Sequence, residues 1–153
     1  MDPHVVGRFT GIFLGAMLAA AAWAGEFYEL EGVAVRGFDV VAYFTDHKPV
    51  KGSSRYTVFF RGSLFQFASA EHRNTFLADP TRFTPQYGGF CAYGTARGYK
   101  AASDPEAFTV VDEKLYLNYS VAVRDRWREG LPEIIAAGDR NWSFVSKLTK
   151  AIP

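Results

Sequence analysis

The pattern of apolar and polar positions divides the chain into an unusual head and an ordinary body. Phe9 to Ala22 is almost wholly apolar and small, with Arg8 just before it. The body alternates short apolar runs with polar breaks. Val33 to Phe44 is apolar and β-rich, interrupted by Gly37 and Asp39, and is expected to be extended with a bend. Asp46 to Ser54, with Pro49 and Gly52, is expected to be loop. Tyr56, Val58 and Phe60 alternate with Thr57 and Phe59. Arg61-Gly62-Ser63 then turns the chain into Leu64 to Phe67, which predicts a hairpin. Thr109–Val111 and Leu115–Tyr119 around Asp112-Glu113-Lys114 predict a second one.

Helices are announced by their caps. Ser69 is an N-cap for a helix over Ala70–Ala78, stopped by Asp79-Pro80. Ser120 caps Val121–Glu129, and Gly130 ends it. Pro132 suits a first helical position. The apolar face Ile134, Ile135, Trp142, Val145 and Leu148 marks a last helix, which Gly138 is expected to weaken. Tyr87-Gly88-Gly89-Phe90-Cys91 predicts a tight turn. Hairpins mixed with separate helices, without βαβ alternation, predict an α+β fold: a small antiparallel sheet from hairpins with packed helices.

The head has the layout of a secretory signal peptide: a short n-region to Arg8, an apolar stretch, then Ala22-Trp23-Ala24. Residues 1–24 are therefore expected to be the leader, cut after Ala24 (or, as the near alternative, after Ala22). The apolar run of about 14 residues is short of the ~20 that cross a bilayer, so a retained anchor is the weaker reading and no stable span is expected after cleavage. Residues 25–153 are expected to form one domain in the periplasm or outside the cell. No internal repeat or long linker divides them.

Composition changes this picture little. Hydrophobic residues make up 48% and charged residues 22%, as in folded soluble proteins, and the 16% of aromatic residues is expected to fill the core. The net charge of +1, with signs interleaved, provides no stripe for nucleic acid or a membrane surface.

Candidate chemistry is sparse. CxxC, HExxH, GxSxG and GxxxxGK[ST] are all missing from the sequence. One cysteine, Cys91, permits no internal disulfide, so in an oxidising compartment it must be buried or protected by a partner such as a metal ion. His72 falls at the third position of the Ser69-capped helix, where the dipole favours neutral imidazole, the form that ligates metals or acts as a base. His47 sits in a polar loop and is expected to be solvated. Asp39 interrupts an apolar stretch, so its carboxylate needs a partner, as a turn residue or an oxygen ligand. Tyr43, Tyr87, Tyr93, Tyr99 and Tyr119 are most simply packing residues with a polar tip. Thiolate with imidazole suits copper or zinc. Cys91, His72 and Asp39 are therefore the expected metal ligands, with a tyrosine, water or a second subunit as substitutes for Asp39. That requires Cys91 and His72 to lie together, at open positions rather than in the core.

Five segments together resemble YHS-domain proteins. They are Phe38–Phe44, Phe67–Arg73, Phe76–Pro80, Pro85–Ala92 and Asp104–Phe108, with Leu115–Ser120 also similar. The resemblance spans about Val33 to Trp142 and is strongest to exported single-domain members. It implies a link to heavy-metal handling, since such domains also occur attached to metal ATPases and oxygenase-related proteins. A metal-handling or redox protein is then the implied partner. With only Cys91 available, a thiolate-rich site is excluded. The expected function is a non-catalytic copper or zinc module. The alternatives are a thiol enzyme or redox protein, with Cys91 as nucleophile and His72 as base, and a pure interaction domain.

Overall fold

The computed structural model describes residues 26–153. The expected leader and its expected cleavage site lie outside the described residues. The architecture is α+β, with two small sheets. In chain order the elements are β1 (Glu29–Leu30), β2 (Val33–Ala34), α1 (Ala42–Thr45), β3 (Ser53–Phe60), β4 (Ser63–Phe67), α2 (Ala70–Ala78), α3 (Pro80–Phe83), α4 (Ala92–Ala96), β5 (Asp104–Val111), β6 (Lys114–Asn118), α5 (Val121–Glu129) and α6 (Glu133–Val145). The first sheet has the order β1-β2-β4-β3, and β5 pairs with β6.

Three two-residue turns build the hairpins. Glu31-Gly32, Arg61-Gly62 and Asp112-Glu113 all have positive φ at both residues, the backbone that matches the twist of an antiparallel pair. Both expected hairpins are present, each with longer first strands than the alternation predicted. The first sheet is not purely antiparallel, however. Val33 pairs with Leu64 in parallel, which closes β2 against β4. The expected extended run Val33–Phe44 also differs. Only Val33–Ala34 is strand; Val35–Gly37 forms a turn of 3-10 helix and Ala42–Thr45 a short α-helix. Local β-propensity loses there to the turn that Asp39 organises. The Ser69 and Ser120 caps work as expected, with their hydroxyls accepting from His72 N and Val123 N.

Strand β6 separates two cores. Side chains alternate across a strand, and every residue of Leu115–Asn118 is buried. Leu115 and Leu117 enter the larger core with Val40, Phe65, Phe67 and Phe76, while Tyr116 enters the smaller one with Tyr87, Ala92 and Trp127. The abundant aromatic residues do fill these cores. Phe76 lies 5.0–5.8 Å from the rings of Phe60, Phe65 and Phe67. Gly138 is less a weak point of α6 than a packing site. A Cβ there would meet the Tyr87 hydroxyl at 2.6 Å. Gly88 answers a similar demand. Its φ is +60°, and a Cβ would strike the Glu26 carbonyl where Tyr28 N–H donates to Gly88 O.

Candidate functional site

The expected site residues fall into two separate environments. Asp39 and His72 share one. Asp39 is fully buried, and its Oδ1 accepts from Val41 N at 2.9 Å and Ala42 N at 3.2 Å. Its Oδ2 accepts from Ala68 N at 2.8 Å and lies 2.7 Å from His72 Nδ1. A buried carboxylate is tolerated when its lone pairs are filled, and four donors fill these. Asp39 thereby joins the start of α1 to the end of β4 and the first turn of α2. The other face of the ring looks at Thr45 Oγ1, 3.4 Å from Nε2, and at Asp46 Oδ1, 4.0 Å away. Thr45 Oγ1 itself lies 2.8 Å from Asp46 Oδ1. The carboxylate that interrupts the apolar stretch is thus a turn residue with a histidine partner. His47 is exposed, as expected.

Cys91 has other company. It precedes α4, which packs on β6, α5 and α6, whereas α2 and its His72 pack on β3, β4 and α3. The thiol is 1% exposed, so the expectation of an open rim position fails. Its sulfur accepts from Gly94 N at 3.4 Å and Tyr119 N at 3.3 Å. The S–H faces Asn118 Oδ1 at 3.6 Å, an oxygen that also accepts from Tyr93 N at 3.0 Å. Burial pushes the Cys91 thiol above its usual range, against the opposing pull of the Gly94, Tyr119 and Tyr93 amides.

The expected assembly of Cys91, His72 and Asp39 is therefore not formed. Among the described residues, no three His, Cys, Asp or Glu side chains gather where they could hold a metal ion. The physical reason is the commitment of each partner. Asp39 spends its oxygens on backbone amides and His72, and Cys91 caps α4 and bridges β6 at Leu117.

What Cys91 does share is a pocket. Cys91, Tyr93, Tyr99, Ala101, Tyr119, Val123 and Ile152 line a cavity of about 240 Å³ with no charged group in its wall. Three of its lining side chains also face solvent: Tyr99, Tyr119 and Ile152 are 38–54% exposed. A second cavity, of about 270 Å³, lies between Arg61, Tyr87, Asp139 and Trp142 and holds the 2.9 Å Arg61–Glu26 ion pair, without a nucleophile.

Two residues escaped notice in the sequence. Asn118 is fully buried beside Cys91, and its Nδ2 has no partner. Lys100 is 5% exposed, and its ammonium donates to Ser146 O at 3.0 Å and Leu148 O at 2.8 Å over the Phe90 ring. Desolvation lowers its pKa from the usual lysine range. No local signal marks either residue, because a lysine or an asparagine is ordinarily solvated. Comparison with known family models, with curated proteins and with solved structures returns no match.

Proposed function

We propose that this chain is an exported, non-catalytic binding module whose working surface is the Cys91 pocket and its apolar rim. The observation that carries the reading is the uncharged cavity itself, with a single soft polar group at its wall and three tyrosines around it. Pockets of this kind take an uncharged, largely apolar group and fix it with few polar contacts. A thiol enzyme is less well supported. Among the described residues Cys91 has no base within hydrogen-bonding reach: its S–H faces Asn118 Oδ1, while His72 Nε2 faces Thr45 and Asp46. A thiol whose pKa is raised by burial is a poor nucleophile at neutral pH. Export rests on the leader pattern, and the YHS resemblance rests on the motifs alone.

A second reading keeps the metal. Cys91 Sγ is a wall atom of the pocket, and a copper or zinc ion held there would draw one thiolate from this chain. A pocket tyrosine, or ligands from a metal-handling partner or second subunit, would complete its shell, because Asp39 and His72 do not line the pocket.

One set of titrations separates the two. The processed domain is titrated with a neutral aromatic probe, phenol, followed by NMR, and with Cu(I) and Zn(II), followed by calorimetry. The apolar reading expects phenol to shift the signals of Tyr93, Tyr99 and Val123, with the effect lost in Val123→Glu and kept in Cys91→Ser. The metal reading expects stoichiometric metal uptake lost in Cys91→Ser. No response to phenol in the wild type overturns the first reading, and equal metal uptake by wild type and Cys91→Ser overturns the second.

A further inference from the structure

The segment that follows α6 runs back across the molecule and supplies one wall of the Cys91 pocket. Val145 is the last buried residue of the chain, and none of residues 146–153 is buried. The segment therefore has no side chain in either core. It is held instead by its backbone. Ile152 N donates to Lys100 O and Ala102 N donates to Ile152 O, both at 2.8 Å, which aligns Ile152 in parallel with Ala101. The Lys100 ammonium holds the approach through the Ser146 and Leu148 carbonyls. Among the described residues Lys100 has no carboxylate partner, so a nearly buried charge is spent on holding two main-chain oxygens. At the end of this path the Ile152 side chain lines the pocket while 54% exposed.

A wall held by two ladder hydrogen bonds and no buried side chain belongs to the least stable part of a fold. The wall it pairs with is different: Cys91 and Ala101 are buried, and the Cys91 amide is bonded to Ala101 O at 3.0 Å. We propose that Ser146–Ile152 is a detachable strap that gates the Cys91 pocket, closed through Ile152 and latched by Lys100. Opening needs only the Ile152 pairing and the Lys100 contacts to break. The pocket then loses one wall, and the thiol becomes reachable without either core moving. The inference rests on the pocket being the working surface, but it concerns access and not the identity of the ligand.

The test is the rate at which Cys91 of the metal-free processed domain reacts with a neutral maleimide, read beside amide exchange at Ala102. Ile152→Pro deletes the donor to Lys100 O. Because Ile152 is half exposed and its chain neighbours Ala151 and Pro153 are unburied, the fold is expected to survive the change. The variant is expected to react roughly fivefold faster or more than the wild type, the population gain from one lost hydrogen bond, with Ala102 exchange accelerated similarly. Lys100→Met, which releases the latch, is expected to move both in the same direction. An unchanged Cys91 rate in Ile152→Pro overturns the proposal in either of two ways. With fast Ala102 exchange, the strap has left without opening the pocket; with slow exchange, these bonds do not hold it. No metal or ligand enters the measurement, so a failure to bind copper, zinc or phenol leaves the gate standing, and a failed gate leaves those titrations untouched.

Discussion

His72 Nδ1 lies 2.7 Å from Asp39 Oδ2, and this pair ties the turn before α1 to the first turn of α2, 33 positions away. The same carboxylate caps the start of α1 and receives the amide of Ala68 at the end of β4. The Nδ1 side of the ring is thus part of the scaffold, and Nε2 faces Thr45 and Asp46.

Asp39→Ala is expected to destabilise the domain by about 3 kcal/mol or more, because it leaves buried amides without an acceptor. His72→Ala removes one charge-assisted bond and is expected to cost about 1–3 kcal/mol. Urea denaturation of the metal-free domain measures both. Losses under about 0.5 kcal/mol would return the pair to the list of free ligands.

Gly138→Ala distinguishes packing from propensity. In an exposed helix interior the change would stabilise by up to about 1 kcal/mol. Here the new methyl meets the Tyr87 hydroxyl, which lies 2.8 Å from Asp139 Oδ1 and 3.2 Å from Ile135 O. A loss of about 1–3 kcal/mol is expected, seen as a lower thermal midpoint. A raised midpoint would show that Tyr87 moves aside freely.

The pH dependence of Cys91 follows from its burial. The folded thiol has a raised pKa, so the folded state favours the protonated form. Its contribution to stability is complete below the ordinary thiol pKa of about 8.5 and is lost as pH rises beyond it. Alkylation of the native domain is expected to reach half its limiting rate at a higher pH than alkylation of the urea-unfolded chain. Coincident profiles would mean that the amides of Gly94 and Tyr119 fully offset the burial.

The expected cut after Ala24 falls just ahead of residues that the fold needs. Phe27 is buried in the larger core, and Tyr28 N–H is bonded to Gly88 O. Intact-mass measurement of the exported protein is expected to find a chain beginning at Gly25. A product still carrying Phe9–Leu18 would show a retained leader, and one beginning after Phe27 would have lost a core ring.

What the sequence determined by itself was local. Serine hydroxyls at 69 and 120 find the amides three residues on, glycine-containing or acidic two-residue turns close hairpins, and a period of two buries alternate faces of β6. Each of these depends on residues a few positions apart, so spacing alone states it. The fate of the candidate site depended on long-range pairing. Asp39 meets His72 across 33 positions, Cys91 meets Asn118 across 27, and Lys100 reaches the end of α6 across 46 or more. Only the packing of α2 on the first sheet, and of α4 on β6 and α6, decides which of these polar groups face each other. A buried polar group takes whichever partner the tertiary fold brings within reach, because leaving it unpaired costs more than any local preference supplies.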